Sequence, residues 1–97
     1  IRSISVRMFM SDCDMVAKVF FLAVVPNEKR NSILEKFNEL HNKWRWINFY
    51  IDEDNEITAR IEAVFFESNV VEVCDVMLSK IINITDECYP ELMKVLW

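Results

Sequence analysis

The stretch INFYIDEDNEITARIEAVF, Ile47 to Phe65, decides the fold. Ile47, Phe49 and Ile51 alternate with Asn48 and Tyr50, and Ile57, Ala59, Ile61, Ala63 and Phe65 alternate with mostly polar neighbours. A period of two places each set on its own face of a strand. Facing residues share a sheet face, so odd positions must pair with odd, and a slip by one would turn every apolar side chain outward. Closing the hairpin with Asp52 opposite Glu56 meets that parity and leaves Glu53-Asp54-Asn55 as the loop. A three-residue loop ends on a left-handed residue, and in a chain with no glycine Asn55 is the natural occupant. The register predicts Ile47 opposite Ile61, Phe49 opposite Ala59 and Ile51 opposite Ile57. On the even-numbered face it predicts Trp46 opposite Glu62, Asn48 opposite Arg60 and Tyr50 opposite Thr58.

Working outward, Ile4, Val6, Met8 and Met10 alternate with Ser3, Ser5, Arg7 and Phe9, which predicts a half-buried first strand. Ser11-Asp12-Cys13-Asp14 supplies side chains that cap their own turn. Met15 to Val25 carries Lys18 as its single charge and is apolar at both parities. It is therefore expected to be a central strand covered on both sides, with Lys18 reaching along its stem to water. Ile33, Leu34, Phe37, Leu40, His41 and Trp44 recur at the spacing of one helical face and predict a helix over Asn27 to Arg45. On its surface a Glu39–Lys43 pair roughly cancels the repulsion between Glu35 and Glu39. Asn69 with Glu72 resembles a capping box, and Val70, Cys74, Met77, Ile81, Ile84 and Cys88, widened by Val71, Leu78 and Ile82, predict a second helix over Asn69 to Glu87. Pro90 to Trp97 reads as a short kinked extension. The order is β-β-α-β-β-α, an α+β fold in which an antiparallel sheet packs against two helices. Residues 1–97 are read as a single domain. Ile1 sits inside a strand-like pattern without a signal-peptide layout, so the domain is expected to be trimmed at its N-terminus.

Composition narrows the function. At 97 residues and 53% hydrophobic the chain has material for one core, and the missing glycines exclude Walker and dinucleotide phosphate cradles. A formal charge of −5 repels phosphate backbones and anionic lipid, so neither nucleic acid nor membrane is expected as a partner. The longest apolar run, Val19 to Val25, is far short of the ~18 residues that a membrane helix needs. Cys13, Cys74 and Cys88 cannot all pair internally, and on one helix Cys74 and Cys88 would stand about 21 Å apart. Free thiols suit a reducing, cytoplasmic setting.

No catalytic, cofactor or metal set assembles in the sequence. His41, the single histidine, lies on the apolar stripe of the first helix with no ligand-type residue at metal spacing. Cys74 and Cys88 fall on a core stripe, while Cys13 in the first turn is the thiol expected to be exposed. Asp52 to Glu56 echoes a calcium loop, but it has no mid-loop glycine and its twelfth position is Ala63, so a solvated hairpin tip is expected. Trp44, Trp46, Tyr50 and Trp97 are the aromatics left over from the predicted core. Trp46, Tyr50, Arg60 and Glu62, together on the even-numbered hairpin face, form the candidate protein-binding surface. Two readings of that face stay open: it meets a partner chain, or a helix preceding Ile1 covers it.

The residues also carry a resemblance. Asn38 to Trp46, Asn48 to Asp54, Ala59 to Ala63 and Tyr89 to Lys94 at the close of a long helix resemble the YbjN family, a bacterial group linked to sensory-transduction regulation. The likeness covers roughly Glu35 to Trp97, and the first two strands match in pattern. The family's hairpin tip usually carries glycine where this chain has Asn55, a replacement that the left-handed position tolerates. The resemblance implies the fold of type III secretion chaperones, with two helices on a curved antiparallel sheet, often dimeric and preceded by a helix absent from residues 1–97. It carries over no catalytic residue. The expected function is a non-enzymatic, cytoplasmic regulatory or chaperone-like module that binds a protein segment, as a homodimer in one version. The alternatives are a small-ligand sensor with a pocket between sheet and helices, or a small hydrolase using Cys13 or the hairpin carboxylates.

Overall fold

The structure is a computed structural model and describes residues 5–20 and 22–97. Ile1, Ser3 and Ile4 of the expected first strand, and Phe21 of the apolar run, lie outside the described residues. The elements are β1 (Val6–Met10), β2 (Asp14–Val19), α1 (Arg30–Lys43), β3 (Ile47–Ile51), β4 (Ile57–Val64) and α2 (Val70–Leu96), in the predicted β-β-α-β-β-α order. The strands form one antiparallel sheet in the order β1-β2-β4-β3, so the two hairpins join through β2 and β4.

The hairpin register is the predicted one: Ile47 pairs with Ile61, Phe49 with Ala59 and Ile51 with Ile57. The Asp52 amide donates to the Glu56 carbonyl at 2.9 Å, and Asn55 takes φ 60°, the left-handed value that closes the turn. At its other end the match fails. Trp46 does not pair with Glu62; it has φ 77° and leaves the ladder, so β3 begins at Ile47. A tryptophan at positive φ carries a cost of roughly 1–2 kcal/mol, and the short link from α1 imposes it by turning the chain within three residues.

Both helices lie on the odd face of the hairpin. Ile33, Phe37 and Leu40 of α1 and Met77, Ile81, Ile84, Cys88 and Leu92 of α2 join Met15, Ala17, Val19, Ile47, Phe49, Ile57, Ala59 and Ile61 in one buried cluster. Lys36 bridges the helices, with its Nζ 3.0 Å from Glu39 and 3.6 Å from Glu91. Glu39 therefore pairs with Lys36 and not with Lys43, whose ammonium lies 5.5 Å from the Trp44 ring.

Four further expectations are corrected. First, β2 is central, but among the described residues it is fully covered on one side only: Met15, Ala17 and Val19 are buried, whereas Val16, Lys18 and Phe20 are half-buried on the other face. Beyond Val19, Phe20 and residues 22–25 lie outside the strand, with Val24 in an isolated bridge to Glu56. The Leu22 and Val25 amides donate to the Ile57 and Asn55 carbonyls, and the Ile57 amide donates to Ala23, which folds the segment along the hairpin tip. Second, α1 is shorter than Asn27 to Arg45; Asn27–Lys29 is a 3-10 turn before it, and Leu34 is exposed. Third, α2 runs unbroken through Pro90. Pro90 and Asp86 are both exposed, so the hydrogen bond that the proline cannot donate is lost where water can replace it. Fourth, Asn69 does not box with Glu72. Its Oδ1 accepts from the Phe66 amide at 2.8 Å and caps the short turn Glu67–Asn69 instead, and Val71 and Ile82 point outward. Among the described residues, no helix is long and apolar enough to cross a membrane.

Candidate functional site

The sheet face turned away from the helices is the candidate site. Strand alternation fixes its members. Arg7 and Phe9 come from β1, Val16 and Lys18 from β2 with Phe20 just past its end, Thr58, Arg60 and Glu62 from β4, and Asn48 and Tyr50 from β3. The register lines up Arg7 with Lys18 and Lys18 with Arg60, so three cations stand in a row across neighbouring strands, with Asn48 beside Arg60. Phe9 pairs with Val16, and Val16 with Glu62, in the row to one side; Thr58 and Tyr50 pair in the row to the other.

Electrostatics on this face are set by rings as much as by acids. The Lys18 ammonium lies 5.8 Å from the Phe9 ring centre and 5.9 Å from that of Phe20, and the Arg7 guanidinium lies 5.5 Å from Phe20. These are cation–π separations. Arg60 forms an ion pair with Glu62, while its Nε is enclosed without a hydrogen-bond partner. Phe9 remains 50% exposed, far above its neighbours in the core.

Of the sequence candidates, Tyr50, Arg60 and Glu62 share this face, and Trp46 does not join them. Its left-handed backbone carries it out of the strand; it borders a groove of about 690 Å³ with Trp44, Asp75, Val76, Ser79 and Lys80, and it meets Glu62 at the edge of the sheet, where the two line a second cavity of about 480 Å³. Sequence reading missed Arg7, Phe9, Lys18 and Phe20. The signal was available in the period-two pattern of residues 5–10, but without the β1–β2 register it could not be joined to the hairpin.

The residues of the alternative chemistries are kept apart. Cys13 is exposed in the β1–β2 turn, where its carbonyl accepts from the Phe65 amide at 2.9 Å. The hairpin carboxylates sit at the opposite end of β4, roughly 23 Å of strand away. Asp52 is committed to the turn, accepting from the Asp54 and Glu56 amides and from the Thr58 hydroxyl. Cys88 is buried, and burial together with the charge of Glu91 pushes its thiol up to about 11, which keeps it protonated and inert. Cys74 is half-buried. Among the described residues, no group of three or more His, Cys, Asp or Glu side chains could hold a metal ion.

His41 belongs to the core edge. Its ring makes a triangle with those of Phe37 and Phe49, at centroid distances of 6.4 and 6.3 Å with the two phenylalanines 6.0 Å apart, and its Nε2 accepts from the Phe49 amide at 2.9 Å. Burial holds its pKa below the ordinary 6.5. The accepting lone pair exists only on the neutral ring. The folded state therefore disfavours protonation, and the associated stability is complete above the unfolded value and lost as pH falls below it. The thermal midpoint of the native chain is expected to fall between about pH 7 and pH 5.5, and a His41→Gln variant should show a flatter profile over that window. Parallel profiles would mean that His41 is solvated.

The YbjN family model, described as "Putative bacterial sensory transduction regulator", matches residues 2–94. No curated protein and no solved structure matches the chain.

Proposed function

The chain belongs to the YbjN family, and from that membership we propose that it is a non-enzymatic, cytoplasmic regulatory module that binds a protein segment on the open face of its sheet. The observation that carries the proposal is that, among the described residues, the helices cover one face of the sheet, while on the other the side chains are exposed or half-buried except for Thr58. Both helices pack on the face of Ile61 and Phe49, while the opposite face holds Phe9, Phe20 and Tyr50 among Arg7, Lys18 and Arg60. Aromatic and arginine side chains grouped at a surface are the residue types that dominate binding energy in protein interfaces. A regulator built this way acts by holding or releasing its partner and needs no bond-making step.

The test is photo-crosslinking in the bacterial cytoplasm. A benzophenone amino acid at Phe9 or Glu62 should give discrete protein adducts, and the same residue at Glu72 on the outer side of α2 should give none. Adducts equally strong from Glu72, or absent from Phe9 and Glu62, would overturn the reading.

A second reading, a small-ligand sensor, draws support from the groove of about 690 Å³ beside Trp44, whose Nε1 is enclosed without a hydrogen-bond partner. That volume lies within the range of small-molecule sites. A ligand there would change the emission of Trp44 and Trp46, and it would leave crosslinking from Phe9 untouched.

A further inference from the structure

The row Arg7–Lys18–Arg60 is expensive to keep. Like charges directly opposite each other on neighbouring strands repel, and here two such pairs follow in succession. Among the described residues, Arg60 alone of the three has an ion-pair partner, Glu62. The chain as a whole carries −5, so this face runs against the charge of the rest of the molecule.

We infer that the open face takes an acidic amphipathic helix of a partner protein, laid across the strands with its carboxylates along Arg7, Lys18 and Arg60. This rests on the open face being the protein-binding site. The spacing selects the helix. Paired residues on adjacent antiparallel strands stand roughly 5 Å apart, and helical residues three or four apart present their side chains at roughly 5–6 Å. A stripe of glutamates at that interval meets all three cations. An extended segment running the same way would offer one side chain per roughly 6.7 Å and fall out of step after the first contact. The row on one side runs Phe9, Val16, Glu62 and the row on the other carries Phe20, Thr58 and Tyr50, so the apolar and aromatic members fit leucine-type side chains flanking the acidic stripe, while Glu62 stays paired with Arg60. A nucleic-acid strand would also bring anions and stackable rings, but three cations, one already ion-paired, on a chain of −5 make a poor phosphate track.

The probe is a fluorescein-labelled synthetic helical peptide with glutamates at every third or fourth position flanked by leucines. Its controls are the same peptide with lysine for glutamate and a thymidine oligonucleotide of equal charge. The acidic peptide should bind the native chain, at least tenfold more weakly in R7Q/K18Q and more weakly as salt rises, while the lysine peptide should not bind. Peptide affinity unchanged in R7Q/K18Q but lost in F9A/Y50A would overturn the charge inference and leave the binding face standing. Affinity unchanged in both variants would remove the face as well. An oligonucleotide bound as tightly as the peptide would overturn the inference in favour of nucleic acid. Concentration-dependent self-association abolished by D75K/D86K would assign the face to a second copy's α2, and a folded R7Q/K18Q chain by circular dichroism keeps each comparison valid.

Discussion

Replacing Ile61 with alanine is expected to cost about 2–5 kcal/mol, the range for emptying an isoleucine site that cannot collapse. Ile61 is fully buried at the middle of the sheet, paired with Ala17 on one side and Ile47 on the other and covered by the helices. At roughly 4–8 °C per kcal/mol for a chain of this size, the thermal midpoint should fall by about 10 °C or more. Tyr50, one strand away on the opposite face, gives the contrast. It is half-buried, and its alanine variant should lose about 1 kcal/mol of stability. Thermal denaturation of both variants by circular dichroism measures the difference. Equal losses would mean that the Tyr50 face is interior, and the assignment of that face to a partner would fail with it.

The contrast rests on parity, which is where the sequence was most legible. The odd-numbered residues of Ile47 to Phe65 left one register with an acceptable turn, and the structure has that register together with a left-handed Asn55. Parity says nothing about where a strand stops. Trp46 continues the even-numbered set on paper, yet the chain turns through a positive φ there, and this depends on where α1 delivers the backbone. The cover of β2 was also hidden. Val16, Lys18 and Phe20 look like the buried side of a two-sided strand, because phenylalanine rings that carry cations have the same hydrophobicity as rings packed in a core. Likewise Pro90 signals a break by its chemistry, but the helix passes through it because the lost hydrogen bond falls on the wet side. Periodicity reveals which residues share a face; which face is covered depends on packing between distant segments.

The largest effect outside the core is expected at Asp52. Its Oδ1 accepts from the Asp54 amide at 2.9 Å and the Glu56 amide at 3.0 Å, and its Oδ2 accepts from the Thr58 hydroxyl at 3.3 Å. Thr58 is fully buried, so an Asp52→Ala chain would lose two charge-assisted bonds and leave that hydroxyl without its partner. The expected cost is about 2–4 kcal/mol. Asp52→Asn keeps an acceptor for both amides and can donate to the hydroxyl, so it should cost about 1 kcal/mol. The Asp52→Ala/Thr58→Val double variant should recover part of the loss, because replacing both partners removes the orphaned group. Strictly additive losses across this cycle, measured by urea denaturation, would show that the Thr58 bond contributes nothing. The turn matters beyond its own bonds because it sets the hairpin parity: a slip of one residue would carry Ile57, Ala59 and Ile61 to the open face and Arg60 into the core. Asp52 thereby holds the cationic row in place from the far end of β4 without belonging to it. An Asp52→Asn chain that stays folded should therefore bind the acidic peptide as tightly as the native one, whereas R7Q/K18Q should not.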